Sequence, residues 1–400
     1  MSSSEHHNTL LDPDLTQQMI EIRRHLHRNP ELSNDEWMTQ AYLKEQLLQK
    51  GFAVVREVAG YGLAIDIVGT AGPSGRKLII RADIDALPIE EESGVVFRSE
   101  NPGVMHACGH DAHAAMAFAV AVLLDRQKAL FEGTVRIIFQ PAEEAEPLGG
   151  RRVVEEGLLD DIDAAIGIHV DPYTETGKIG VATGPYSLAS DIFDISITGV
   201  SAHAAKPSEG VDAIAVASSI VSEVQKIVSR EIDPYDPLVI SITSIEGGTG
   251  AYNVIADRAK LRGTIRSGQE ETRQKAWSRL TEIAAGVAKI HSAKAEVTLQ
   301  RGEPAVINDT AMVEIVRKSG IDLLGQENTL NLPGWTASDD FAFYSEKCRS
   351  VYFRLGIRDE QADSVYPLHH PKFRVDERAL AIGANMLYLA AREFLETGLQ

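Results

Sequence analysis

Strand-like and helix-like segments alternate along most of this chain, and that alternation limits the fold to the α/β class. After a helical opening at residues 15–50, short apolar runs typical of buried strands are separated by stretches with helical periodicity. Because strands joined through helices lie parallel, this order predicts a mainly parallel sheet covered by helices. The four strand-like runs occupy residues 63–68, 78–82, 135–140 and 164–169.

The order of segments changes near residue 191. A strand, a helix, two strands, a helix and a strand then follow, which is the order of a ferredoxin-like α+β unit. These segments lie at residues 193–198, 211–230, 238–246, 258–266, 271–290 and 296–300. The α/β pattern then resumes with a helix, a strand and a closing helix at residues 310–324, 350–356 and 377–396.

Glycine and proline bracket the ferredoxin-like unit at residues 184–185 and 302–304, as is usual at element boundaries. The 400 residues also exceed what one hydrophobic core usually supports. The sequence therefore predicts two domains. The larger one comprises residues 1–186 and 301–400, and the smaller one is inserted into it at residues 187–300.

Charge and composition exclude several classes of function. Lysine and arginine number 39 against 58 acidic residues, and the net charge of -19 opposes binding to phosphate backbones, so we expect no nucleic-acid partner. The longest apolar run, residues 114–124, is shorter than the ~20 residues of a bilayer span, so we expect no membrane partner. Residues 1–7 lack the basic start and apolar core of a secretory signal. Two cysteines in the whole chain are typical of a reducing compartment, and we expect a cytoplasmic protein.

A thiol and two imidazoles lie close together in residues 108–113, whose sequence is Cys-Gly-His-Asp-Ala-His. The stretch opens an apolar, alanine-rich segment at residues 114–124 that has the character of a buried helix, so we expect it on a loop that enters this helix. A lone buried cysteine is more often a packing residue. The histidines beside Cys108 favour metal binding instead.

Further candidate ligands follow other strand-like runs. They are Glu143-Glu144, His169 and His369-His370. Because ligands bind at the carboxyl ends of the strands in open α/β sheets, we expect these side chains to meet Cys108 and His110 at one rim. A set of thiolate, imidazole and carboxylate ligands suits Zn²⁺, Mn²⁺, Co²⁺ or Ni²⁺ better than Mg²⁺ or Ca²⁺.

The adjacent carboxylates of Glu143 and Glu144 suggest two different tasks. One binds metal, while its unligated neighbour takes a proton from water and passes it to a leaving group. A bare pair of glutamates is more often a solvated acidic loop. The position of this pair at the end of a strand, beside other candidate ligands, favours the catalytic interpretation.

Five motifs in order resemble those of the binuclear-metal aminoacylase/carboxypeptidase family, in particular the amidohydrolase branch of hippurate hydrolases and plant auxin-conjugate hydrolases. The resemblance extends from Ile22 to the final helix. The motifs are RADIDALP at residues 81–88, HACGHD at 106–111, QPAEE at 140–144, GIH at 167–169 and LHHP at 368–371.

This resemblance implies two divalent metal ions per subunit, Zn²⁺ or Mn²⁺, with Co²⁺ or Ni²⁺ as alternatives. It makes Cys108 the bridge between the ions and Glu143 the general base and acid, with Asp85 and Asp111 hydrogen bonded to the ligands. The implied metal ligands are Cys108, His110, Glu144, His169 and His369. Three further histidines are expected to be structural, namely His25, His27 and His113.

Motifs of the inserted domain resemble those of the family's lid and dimerisation domain. By this resemblance His203 polarises the scissile carbonyl, often from a partner subunit. Asn253 and Arg266 bind the substrate carboxylate, which a planar guanidinium matches in bidentate fashion. We therefore expect a homodimer or a higher homo-oligomer.

The resemblance implies an N-acyl amino acid amidohydrolase that cleaves the amide to a carboxylate and a free amino acid. A dipeptidase or carboxypeptidase-like metallopeptidase is the alternative within the same chemistry. A non-catalytic protein that binds an amino-acid conjugate is the alternative from another class, and the intact Glu143 argues against it. Ala256 replaces a proline that is usual in the family, so we expect a looser turn there. Residues 145–151 replace a glycine-rich run beside the implied metals, so we expect the accepted acyl group or amino-acid side chain to differ from those of relatives.

Overall fold

The computed structural model describes residues 10–72 and 75–399, and the segment on which the absence of a secretory signal was judged lies outside them. The α-helices are α1 (Pro13–Arg28), α2 (Trp37–Gln49), α3 (His110–Arg126), α4 (Gly149–Glu155), α5 (Ala213–Lys226), α6 (Glu270–Ile290), α7 (Thr310–Leu324), α8 (Ala342–Ser345) and α9 (Arg378–Thr397). The strands are β1 (Arg56–Val58), β2 (Gly62–Val68), β3 (Lys77–Asp83), β4 (Thr134–Gln140), β5 (Ala164–Glu175), β6 (Ile179–Val181), β7 (Gly184–Pro185), β8 (Ala189–Thr198), β9 (Leu238–Gly247), β10 (Arg258–Ser267), β11 (Lys294–Gln300), β12 (Ile307–Asn308), β13 (Thr329–Asn331) and β14 (Arg349–Arg358).

The chain divides into two units. The first comprises Met1–Tyr186, Ile307–Gly334 and Asp340–Gln400, as far as these ranges are described. The second comprises Ser187–Val306 and Trp335–Asp339.

An eight-stranded sheet with the order β1-β2-β4-β3-β5-β14-β6-β13 runs through the first unit. Its central strands β4, β3, β5 and β14 are parallel, which confirms the prediction of an α/β fold with a mainly parallel central sheet. The sheet is mixed towards its edges, because β2 pairs antiparallel with β4 and β6 pairs antiparallel with β14. Strands β3, β4 and β5 are almost entirely buried, as expected for parallel strands covered on both faces.

The parallel register brings the carboxyl ends of neighbouring strands to one edge of the sheet. Asp83 at the end of β3 lies opposite Gln140 at the end of β4, and Arg81 lies opposite Gly167 of β5. Residues that follow these strands therefore emerge together, as the sequence predicted for the candidate ligands.

Helix α3 is buried from His110 to Leu124 and packs against α1, α9 and β3. Its many alanines allow this close packing. The helix begins at His110, four residues earlier than the sequence pattern indicated. His110 therefore lies in the first turn of the helix, while Cys108 lies on the loop before it. Gly109 supplies the left-handed turn (φ 87°) at the N-cap position.

The second unit has an antiparallel sheet of four strands in the order β11-β8-β10-β9, with α5 and α6 packed on it. The strand and helix order is that of a ferredoxin-like unit. Arg273 of α6 is fully buried against Asp191 of β8, and Trp277 donates a hydrogen bond of 2.9 Å to the same carboxylate. This pairing ties the helix to the sheet.

Among the described residues, no helix has the length and apolarity needed to cross a bilayer. Both cysteines, Cys108 and Cys348, are free thiols.

Candidate metal centre

Candidate ligand atoms from separate chain segments converge at the carboxyl edge of the parallel sheet. Three groups of such atoms, each within 4.8 Å of one another, share members and so form one cluster. The groups are Cys108 with His110 and His169, Cys108 with Glu144 and His369, and His110 with Glu143 and Glu144. The structure thus brings together all five residues that the resemblance implied as metal ligands, together with Glu143.

Two backbone features bring these loops close to one another. Gly109 approaches β5 so closely that a Cβ atom there would lie 2.5 Å from Cγ2 of Val170, which explains the glycine between Cys108 and His110. His369 adopts a left-handed conformation (φ 62°), and its backbone N–H donates to the carbonyl of Ala107 at 2.9 Å. Non-glycine residues rarely adopt this conformation, and it is concentrated at functional sites.

Hydrogen bonds fix which ring nitrogen of two histidines faces the cluster. Nδ1 of His110 donates to the carbonyl of Asp85 at 3.0 Å and lies 3.1 Å from its carboxylate. Nδ1 of His169 donates to the carbonyl of Val170 at 2.8 Å, while its Nε2 lies 3.4 Å from Sγ of Cys108. In both residues Nε2 is therefore the nitrogen with a lone pair for a metal, and Asp85 has the orienting role predicted for it.

Two atoms of the cluster are buried and make no well-aligned hydrogen bond in the described part of the chain: Nε2 of His110 and Oε1 of Glu144. They lie 4.0 Å apart, and Oε1 of Glu144 lies 3.2 Å from Nε2 of His369. Unsatisfied buried polar atoms are costly, and most are paired in folded proteins. A cation between them would satisfy both lone pairs, so the residues fit a metal centre.

The electrostatics of the cluster also favour a cation. Burial, followed by the negative charges of Glu144 and Glu143, raises the pKa of the Cys108 thiol well above its usual value. Burial lowers the pKa of His110, but Asp83 and Asp85 outweigh it and raise that pKa to about 10. The acidic neighbours thus favour the protonated forms of Cys108 and His110. A divalent ion bound between these side chains would favour the opposite forms, the thiolate and the neutral imidazole.

The histidines expected to be structural have other partners. Nδ1 of His113 donates to Asp83 at 2.6 Å, and its Nε2 accepts from the backbone N–H of Val170 at 3.0 Å. His113 lies beside the cluster, and both of its ring nitrogens have hydrogen-bond partners, which favours the predicted structural role. His25 stacks on Tyr42 with ring centroids 3.7 Å apart.

Asp111 differs from its predicted role as a partner of the ligands. Its carboxylate accepts from Arg23 at 2.8 Å and lies 2.9 Å from Nδ1 of His27. His27 in turn lies 3.1 Å from Glu91. Asp111 therefore ties α3 to α1 through a buried ionic network.

Sequence reasoning missed a second ionic network behind the cluster. The buried guanidinium of Arg81 donates to Asp83 at 2.5 Å, to Asp340 at 2.6 Å and to Gln140 at 3.1 Å. Arg81 and Asp83 do lie in the motif at residues 81–88. Asp340 comes from a distant segment, and no local pattern marks it as a partner.

The residues predicted to bind substrate lie in the second unit. His203 and Asn253 lie on adjacent segments, joined by a hydrogen bond of 2.9 Å from the N–H of Ala204 to the carbonyl of Asn253. His203 is exposed, and its Nδ1 accepts from the N–H of Ala205 at 3.1 Å. Arg266 lies on β10, and its Nη1 is buried without a hydrogen-bond partner among the described residues.

Comparisons with known proteins agree on one family. The family model of peptidase family M20/M25/M40 matches residues 79–393. An N-acetyl-L-cysteine deacetylase of Bacillus subtilis is 38% identical over 383 residues, which cover 96% of this chain and 89% of the relative. Thermostable carboxypeptidase 2 of Saccharolobus solfataricus is 38% identical over 380 residues, which cover 94% of this chain and 95% of the relative.

A solved structure agrees with these relatives. The Bacillus subtilis YXEP protein, a dinuclear metal binding peptidase from the M20 family, superposes with a TM-score of 0.85 at 35% identity. The match covers 96% of this chain and 100% of that protein.

The cluster geometry predicts a cobalt–sulfur bond that can be observed directly. When the protein is loaded with Co²⁺, a ligating thiolate should give a sulfur-to-metal charge-transfer band in the near ultraviolet. The Cys108→Ser variant should lose this band, and Cys348→Ser is the matched control that should keep it. Persistence of the band in Cys108→Ser would remove the cysteine from the metal site.

Proposed function

This chain is a hydrolase of peptidase family M20/M25/M40, and we propose that its substrates are N-acyl amino acids, whose amide bond it cleaves to a carboxylate and a free amino acid. The observation that carries the proposal is the position of Glu143, beside Glu144 and within reach of His110, in a cluster whose side chains fit a metal centre. A carboxylate in that position can move protons during attack on an amide.

We assign the metal ligands as Cys108, His110, Glu144, His169 and His369, with Cys108 common to two ions. Cys108 is the member shared by the groups that contain His169 and His369, which supports a bridging role. The donor set suits Zn²⁺ or Mn²⁺, with Co²⁺ or Ni²⁺ as alternatives. Ions bound there would polarise the substrate carbonyl and lower the pKa of a water molecule.

The residues of the chain then divide the reaction between them. Glu143 accepts the proton of the attacking water and later delivers it to the departing amine nitrogen. His203 donates a hydrogen bond to the carbonyl oxygen as negative charge develops on it. Asn253 and Arg266 bind the carboxylate of the amino acid. The buried Nη1 of Arg266, which has no hydrogen-bond partner among the described residues, is a donor suited to it.

In this proposal the second unit is the lid and dimerisation domain, and the protein is a cytoplasmic homodimer or higher homo-oligomer. The edge strands of its ferredoxin-like sheet are β9 and β11. Such edges are open to pairing with another chain.

A carboxypeptidase-like or dipeptidase activity is the second candidate. The similarity to thermostable carboxypeptidase 2 favours it, because both reactions cleave an amide next to a free carboxylate. The two candidates differ only in the group on the nitrogen of the amino acid. A non-catalytic binding protein is less well supported, since binding alone would not require the proton transfer that we propose for the Glu143 carboxylate.

The substrate class is tested by turnover across acetyl, benzoyl, succinyl and indole-acetyl amino acids, alongside dipeptides, with Zn²⁺, Mn²⁺, Co²⁺ or Ni²⁺ added. We expect N-acyl amino acids to be cleaved faster than dipeptides, and free acids faster than the corresponding amino acid amides. Arg266→Ala should raise KM for the free acids about tenfold to hundredfold, the range expected for a lost charged hydrogen bond, and should abolish the preference for acids over amides.

Arg262 offers a matched control for Arg266, since it lies on the same strand with its side chain 49% exposed and paired with Glu246. Arg262→Ala should leave KM unchanged. If dipeptides were preferred, the peptidase candidate would replace the first one. If Arg266→Ala behaved like Arg262→Ala, the carboxylate clamp would have to be sought elsewhere.

The two glutamates should fail in different ways. Glu143→Ala should lose at least about a hundredfold in kcat, because a general base is removed, and should still bind two ions per chain. Glu144→Ala should lose metal, because a ligand is removed. Elemental analysis of both variants decides the assignment, and metal loss in Glu143→Ala with retention in Glu144→Ala would reverse it.

A further inference from the structure

Residues 141–148, which link β4 to α4 and carry Glu143, are held by buried carboxylates from three other parts of the chain. Each carboxylate accepts a hydrogen bond from a backbone N–H in or next to this segment. The bonds join Ala142 N to Glu36 at 2.7 Å, Glu144 N to Asp85 at 3.0 Å and Gly150 N to Asp340 at 2.7 Å. The first of these carboxylates, Glu36, has no role in the chemistry considered so far.

Ala142, which precedes Glu143, is in an unfavourable backbone conformation. Its φ of 49° lies in the left-handed region, where residues other than glycine are uncommon. Both of its backbone polar groups are bonded, because its carbonyl accepts from Gly149 N at 2.8 Å while its N–H donates to Glu36. Such strain persists only where the surroundings enforce it, and it is frequent at functional sites.

Helix α2 gives no reason for Glu36 to be buried. Glu36 stands at the N-cap position of this helix, but its side chain makes no capping hydrogen bond. Glu31 satisfies the first turn instead, because its carboxylate accepts from Met38 N at 3.1 Å and from Thr39 N at 2.7 Å. The Glu36 carboxylate is therefore not needed to begin the helix.

The burial of Glu36 is costly. The residue is fully buried, and in the described part of the chain its Oε2 has no hydrogen-bond partner. Burial, followed by the charge of Asp85, raises the pKa of Glu36 to about 7. A residue that remains in such a place despite its cost requires an explanation, and its 2.7 Å bond to Ala142 joins it to the Glu143 segment.

We propose that Glu36 is a positioning residue for Glu143, which holds Ala142 in its left-handed conformation and thereby fixes the direction in which the Glu143 carboxylate points. The inference rests on the proposed role of Glu143 as proton carrier. With Asp85 fixing the N–H of Glu144, the two carboxylates hold the backbone on both sides of Glu143. A displacement of about 1 Å at a catalytic group can cost a hundredfold in rate.

The test compares variants of Glu36 that differ in their ability to accept the hydrogen bond. Glu36→Gln keeps an acceptor oxygen at the same distance and should retain kcat within about threefold, since a neutral acceptor replaces a charged one. Glu36→Met has similar length and no acceptor, and its kcat should fall about tenfold to a hundredfold. Its KM and its content of two ions per chain should not change.

Glu31 is the matched control, because it anchors the same end of α2 without touching the Glu143 segment. Glu31→Ala should lower the melting temperature through the lost helix cap and leave kcat unchanged. Should Glu36→Met fail to fold, Glu36→Asp takes its place. It retains a buried carboxylate with a shorter reach, and its kcat should fall while both ions stay bound.

Ala142 provides an independent check through a double-mutant cycle. Glycine adopts a positive φ without strain, so Ala142→Gly in the Glu36→Met background should restore part of the lost kcat. In the wild-type background the same change should have little effect on kcat. Additive effects of the two substitutions would overturn the proposal.

The remaining outcomes are distinguishable. Wild-type kcat in Glu36→Met, or parallel losses of kcat and metal in all Glu36 variants, would overturn the positioning role. Full activity of Glu143→Ala would overturn the proposed function and this inference with it. An inactive Glu143→Ala beside full turnover in Glu36→Met would overturn the inference alone.

Discussion

Buried negative charge at the carboxyl edge of the parallel sheet is the constraint on which the rest of the first unit depends. Asp83, Asp85, Glu144 and Cys108 come together there, and the pKa of Cys108 is raised by burial and by its acidic neighbours. Carboxylates are rarely buried unless they are paired or bind metals. Among the described residues Oε1 of Glu144 makes no well-aligned hydrogen bond, and a cation would complete the pairing.

The carboxylates that do have partners hold the geometry of the site. Asp85 accepts from the backbone of Glu144 and orients the imidazole of His110, so one side chain aligns two candidate ligands. Asp340 bonds to Arg81 and Gln140 behind the cluster. Networks of buried hydrogen bonds hold side chains in one conformation when every polar group has a partner. This rigidity suits a metal site, whose ligand atoms must point in fixed directions.

The sequence predicted much of this architecture because the relevant signals are local. Long helices and strands can be recognised from the periodicity of their apolar residues. The register of parallel strands brings their carboxyl ends together, so His169 and Glu144 could be placed near Cys108. Two short strands at one end of the sheet, Ile179–Val181 and Thr329–Asn331, were missed, since three residues are too few to show a period.

Contacts between distant segments could not be predicted in the same way. Glu36 bonds to a backbone N–H 106 positions away, and Asp340 reaches Gln140 across 200 positions. Neither residue differs in its local pattern from an ordinary exposed acid at a helix start or in a loop. For Asp111 the local sequence was misleading. Its place beside His110 suggested a hydrogen bond to a metal ligand, but its carboxylate accepts from Arg23 instead.

Anomalous X-ray diffraction from crystals loaded with Zn²⁺ or Mn²⁺ tests the central claim, a two-ion centre bridged by Cys108, most directly. The account predicts two anomalous peaks about 3.5–4 Å apart, as in other two-metal sites. Both peaks should contact Sγ of Cys108, one should lie against Nε2 of His169, and the other against Nε2 of His369. A single peak, or two peaks without contact to the sulfur, would contradict it.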